Sequence, residues 1–185
     1  MRSGVLGRWL YRARQFFAAL GVGAKLSRED LAEARQVLGP DLYRVFAAMP
    51  SAFKRHGLSV YRKVLSAGGS DETLLQAALL HDSGKYDPVS GRYVMVLHRV
   101  AVVLLEAVQP GRAALEWLSR KRPASGLAGY LLYPFYLSKH HPRLGAKTAR
   151  EHDASPELIR LIAKHQHYDA TDEALRRLQA ADDRS

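Results

Sequence analysis

The chain has 185 residues, 47% of them hydrophobic, and no cysteine; this length supports one domain with a sizeable core, and the missing thiols exclude disulfides and thiolate metal sites. The formal charge of +10 is unevenly placed, because residues 1–28 and 117–150 contain no Asp or Glu while carrying six and seven Lys and Arg. Such stretches suit a phosphorylated ligand or nucleic acid as well as plain solvated faces, and charge does not choose among them.

In chain order the pattern reads as all helix. Residues 6–20 form a basic amphipathic segment in which Trp9, Leu10, Phe16 and Phe17 supply the apolar side; it suits packing onto the domain or a partner, with peripheral membrane contact as the alternative. No small-residue cleavage site follows the arginines at 2, 8, 12 and 14, so a secretory signal is not expected and a cytoplasmic location is. A second helix is capped by Ser27 with Asp30 three residues on and is expected to end at Gly39 and Pro40, followed by a short helix over 42–48 that stops at Pro50. Further helices are predicted over 51–67, 71–82, 93–108, 112–120, 142–151, 156–165 and 172–182. Residues 93–108 are apolar but broken by His98, Arg99 and Glu106, and they fall short of the roughly 20 residues of a spanning helix, so they read as core. Residues 129–137, rich in Tyr and Leu, fit either helix or strand. Linkers are expected at 68–70, 87–91 and 122–129, the last two as rims of a site. The domain plan is a helical extension over 1–45 and a helical bundle over 46–185.

The most informative residues are His81 and Asp82, which close the apolar run of LLHDSGK. An imidazole and a carboxylate at the end of a buried helix are costly without a partner, and a metal ion satisfies both. Other residues face the same way. His56 shares a helical face with Phe53, Val60 and Val64; His165 ends the stripe of Leu158, Leu161 and Ile162; Asp182 falls on the face of Leu175 and Leu178, whereas Asp183 is rotated off it. His141 precedes Pro142 and is expected to be the N-cap of the following helix, with Leu144, Gly145 and Thr148 on its side. Without cysteine, any metal must be held by imidazole and carboxylate. His98 reads as a buried, hydrogen-bonded histidine, His140 and His152 as surface or supporting residues, and His167 as a rim residue or a substitute for His165. Asp153, Asp169 and Asp172 read as turn and cap residues.

A lone His, an HD pair and a distant Asp in an apolar-AD context resemble the HD superfamily of metal-dependent phosphohydrolases, and here they are His56, His81 with Asp82, and Asp182 in LQAADDR. The dinuclear branch of that family adds a His in an HP..GA context and another about two dozen residues later, which His141 in HHPRLGA and His165 in LIAKHQH resemble. The chain departs from the HD-GYP type, having His165, Gln166 and His167 where that type reads HHE, and no GYP segment.

The resemblance implies one ion on His56, His81, Asp82 and Asp182, and a second that shares Asp82 and takes His141 and His165. The ions would be divalent transition metals, Fe or Mn first, with Zn, Co, Ni or Mg as alternatives. It implies hydrolysis of a nucleotide or other small phosphoester by a metal-activated hydroxide, with Asp82 as the bridging catalytic residue and Lys85 as the phosphate contact. A diiron oxygenase on the same fold and a non-catalytic ligand-sensing module are the competing expectations. A nucleic-acid partner rests on charge alone.

Overall fold

The computed structural model describes residues 26–95, 98, 101–102, 104–105, 109–120, 126–167, 169 and 171–185; the amphipathic segment predicted over 6–20 lies outside them. Their architecture is all-α: α1 (Arg28–Ala48), α2 (Ser51–Ser66), α3 (Glu72–Leu80), a 3-10 turn at Ser83–Lys85, a two-stranded hairpin of β1 (Tyr86–Asp87) and β2 (Arg92–Tyr93), then α4 (Gln109–Ser119), α5 (Leu127–Arg150), α6 (Pro156–Lys164) and α7 (Glu173–Asp182). No helix among the described residues is long and apolar enough to cross a membrane.

The caps are local and legible. Ser27 and Asp30 form the full capping box of α1, while Asp71, Ser155 and Asp172 accept from the third backbone N–H of α3, α6 and α7. From Leu74 to Leu80 α3 is apolar except for Gln76 and is buried accordingly, with Leu74, Leu75, Ala77, Ala78, Leu79 and Leu80 all inside. It is the axis of the bundle: α1, α2, α6 and α7 all pack on it. Ala34, Leu38, Leu42, Val45 and Phe46 of α1 belong to the same core, and the 45/46 division drawn from the sequence falls inside that helix.

The break expected at Gly39 and Pro40 is there: Gly39, at φ 66° and ψ 178°, leaves helical geometry, and α1 is two helices joined across that kink. One expected boundary moves. Tyr93 belongs to β2, pairing with Tyr86 across a turn that uses Gly91 at φ 67°, so the helix expected from 93 starts later; residues 98, 101–102 and 104–105 are helical. The hairpin went unseen because two residues per strand are too few to show alternation. Its turn is closed by Asp87, which accepts from Val89 N and Ser90 Oγ and also from Tyr133 Oη of α5 at 2.7 Å.

Candidate metal centre

The largest correction concerns α5. His141 is not an N-cap, because α5 runs unbroken from Leu127 to Arg150 through Pro134 and Pro142. A proline inside a helix removes one N–H and leaves the carbonyl four residues earlier without its partner, a loss of about 3 kcal/mol or more. For Pro142 that carbonyl belongs to Ser138, and His141 Nδ1 lies 2.7 Å from it. The ring supplies the donor that the proline lacks.

The same device recurs. His81 and His165 follow the last residues of α3 and α6, where helix carbonyls have no intrahelical donor, and their Nδ1 atoms lie 3.0 Å from Ala78 O and 2.8 Å from Ile162 O. A carbonyl only accepts, so in all three rings Nδ1 carries the proton and Nε2 presents its lone pair. Those three Nε2 atoms face Asp82. His81 Nε2 is 3.7 Å, His141 Nε2 3.4 Å and His165 Nε2 3.8 Å from Asp82 Oδ1, while Asp82 Oδ2 turns toward His56 Nε2 at 3.7 Å and accepts from Lys85 Nζ at 2.7 Å. Asp182 completes the ring, its Oδ1 lying 2.9 Å from His56 Nε2 and 3.6 Å from His81 Nε2. Asp183 is exposed, as its rotation predicted.

Glycines make this convergence feasible. A Cβ at Gly57 would stand 2.7 Å from Leu79 O, so α2 and α3 meet at backbone distance and bring His56 beside His81, their ring centroids 5.2 Å apart. A Cβ at Gly84 would stand 2.1 Å from His141 O and 2.5 Å from Gly145 N. That bare contact seats the Asp82 turn against α5. Neither glycine was singled out from the sequence, although each lies within two residues of a candidate ligand.

Charge divides the cluster. Burial of Asp82 opposes its ionisation, but Lys85 and the histidines around it hold its carboxyl well below the usual carboxylate range. Burial pulls His81 down, yet the carboxylates of Asp82 and Asp182 outweigh it and leave the ring above its ordinary value. Asp182 is likewise held low, its burial offset by the His56 and His81 rings beside it. In the other half burial dominates: with the charge of Lys85 it drives His141 well below the ordinary histidine value, and with that of His81 it pulls His165 down to about 4.

The donor set fits a metal. His56, His81 and Asp82 form one group of mutually close ligand atoms, and Asp82, His141 and His165 a second. His81 Nε2 is buried with no hydrogen-bond partner. His141 Nε2 and His165 Nε2 lie 3.1 Å apart, two neutral rings aiming lone pairs at one place with no proton to share. Two ligands at right angles around an ion, with bonds of about 2.1 Å, are separated by about 3 Å. The buried cluster of His56, His81, Asp82, His141 and His165 can therefore hold a metal ion.

The remaining histidines stand apart from it. His98 is buried edge-on against Phe135, His140 Nε2 lies 2.9 Å from Ser119 O, His152 Nδ1 3.0 Å from Thr148 O, and His167 is exposed. Asp172 caps α7, Asp169 accepts from Thr171, and Asp153 turns the chain at φ 56°. Comparison of the chain with protein-family models, with curated proteins and with solved structures finds no match.

Proposed function

We propose that this protein is a metal-dependent phosphohydrolase of the HD type that cleaves a nucleotide or another small phosphoester. The observation that carries the reading is the convergence of four histidines on the buried carboxylate of Asp82, with one Asp82 oxygen toward His81, His141 and His165 and the other toward His56, and with Asp182 set against His56 and His81. A pair of divalent cations bound there would polarise a phosphoryl group and lower the pKa of a shared water toward neutrality.

The side chains prepare the site for an anion. Four neutral imidazoles against two carboxylates leave a doubly loaded centre net positive, which attracts phosphate. Each Nδ1 bond to a backbone carbonyl fixes its ring, so ligation requires little reorganisation. Lys85, mostly buried and paired with Asp82, keeps an ammonium beside the shared carboxylate; once that carboxylate is engaged by cations, the ammonium is placed to meet a phosphoryl oxygen.

Protein purified anaerobically and loaded with Fe or Mn should release phosphate in a screen across nucleotides, cyclic dinucleotides and simple phosphoesters. Asp82→Ala should reduce turnover to background, and Lys85→Ala should act mainly through KM, by the roughly 1.5 to 3 kcal/mol of one charge-assisted hydrogen bond. Absence of phosphate release for every class, with oxygen consumed in the presence of a phosphonate or polyol, would replace this reading with an oxygenase.

A further inference from the structure

Exposed apolar surface is concentrated in one part of this chain. Of the eight large hydrophobic side chains exposed among the described residues, seven fall between Val89 and Leu131. Five of these stand on two neighbouring elements: Val89 in the turn of the β1–β2 hairpin, Tyr93 on β2, and Leu127, Tyr130 and Leu131 at positions i, i+3 and i+4 of one face at the start of α5. A groove of about 230 Å³ joins the two elements, with Tyr93 and Met95 on one side and Tyr130 and Pro134 on the other. The apolar run that continues from β2 over 94–105 is itself incompletely covered, since Leu104 is exposed and Met95, Val102 and Leu105 are half-buried. Exposed hydrophobics scattered singly need no cause, but a set gathered across adjoining elements marks an interaction surface.

Charge selects the occupant. The acid-free stretch over 117–150 leads into α5 through Arg120, Lys121 and Arg122, and Arg92 lines the same groove. The hairpin's carboxylate, Asp87, is already engaged by Tyr133 Oη, Ser90 Oγ and the Val89 N–H. A second copy of this chain, or its own basic segment over 1–28, would bring cations to a cationic face. Nucleic acid would meet the cations but offers no aliphatic phase to Val89, Leu127 and Leu131. An anionic bilayer supplies both: acyl chains for the aliphatic side chains, a headgroup level for Tyr93 and Tyr130, whose rings are apolar and hydroxyls polar, and phosphates for the arginines and the lysine. We propose that the β1–β2 turn and the start of α5 dock this protein peripherally on an anionic lipid surface. The docking does not depend on the reaction run at the metal centre.

Co-sedimentation of the full chain with lipid vesicles tests this. The protein should bind vesicles of phosphatidylcholine mixed with phosphatidylglycerol, bind phosphatidylcholine alone about tenfold more weakly, and be released as salt rises. Val89→Glu combined with Leu127→Glu, at positions 92% and 75% exposed, should weaken binding to the mixed vesicles by about tenfold with an unchanged helical signal, since it removes apolar contact and adds two anions. Because the chain has no cysteine, Val89→Cys and Leu127→Cys can each carry one environment-sensitive fluorophore. Its emission should shift to the blue on mixed vesicles, while the same label on Leu65→Cys, an exposed apolar position on α2, should not shift. Vesicle binding that survives the double glutamate variant, or equal shifts from all three labels, would assign the contact to another part of the chain and overturn the proposal. Absence of binding to the mixed vesicles would overturn it as well, leaving an acidic protein as the occupant. A dimer in sedimentation velocity that the glutamate variant dissociates would instead give the face to a second copy.

Discussion

The two halves of the centre share Asp82 and little else. The His56, His81 and Asp182 half reaches the rim through Asp182, whose side chain is 36% exposed, while His81 is fully buried with a pKa that two carboxylates raise against the effect of burial. The His141 and His165 half is buried, has Asp82 as its one carboxylate among the described residues, and has both rings lowered below the ordinary histidine value. Protons would compete with a metal ion more strongly in the first half than in the second.

The comparison breaks most completely at the shared residue. Asp82→Ala should empty both halves, whereas His141→Ala should lower bound metal from about two ions to about one per chain while the helical signal persists. Elemental analysis beside circular dichroism checks this, and two ions retained without Asp82 would show that the halves do not share a ligand.

Backbone contact is the next lever. A methyl at Gly84 meets the carbonyl of His141 on α5, a clash with backbone that cannot rotate away, so Gly84→Ala should cost about 1 to 3 kcal/mol or more in chemical denaturation and impair both halves. Gly57→Ala presses less closely on Leu79 O and should weaken only the half containing His56. Equal loss in both halves from Gly57→Ala would mean that they are not separately positioned.

Pro142 sharpens the contrast further. Pro142→Ala restores an N–H that competes with His141 Nδ1 for the Ser138 carbonyl, so the ring should lose its single tautomer and metal affinity of the buried half should fall about 10- to 100-fold. Nitrogen-15 shifts of His141 report the tautomer directly. Pro134→Ala removes the other proline of α5 without freeing a histidine and should leave both readouts unchanged.

The smallest effect is the order of metal release with pH. A ring whose pKa is raised takes up its proton at higher pH, and one whose pKa is lowered stays neutral further into acid. On lowering the pH from 7 toward 5, the His81 half should release its ion first, since His81 lies above the ordinary value while His165 remains neutral until about 4. Simultaneous loss of both ions in a pH-stepped dialysis would contradict the electrostatic division.

Helix caps and inward faces were legible from the residues alone, because a cap is a bond between neighbours in sequence and a helical face is a consequence of 3.6 residues per turn. Ser27 with Asp30, Asp71, Ser155 and Asp172 all cap as their side chains require, and Asp182 rather than Asp183 reaches the histidines. What only the tertiary structure decided is how closely the helices meet and where α5 begins. Local rules read Pro142 as a start, since they count the hydrogen bond it removes and not the histidine that replaces the donor. Likewise no periodicity reports that Gly57 and Gly84 let backbones touch. Those contacts join residues far apart in sequence, and they gather five inward-pointing residues around the carboxylate of Asp82.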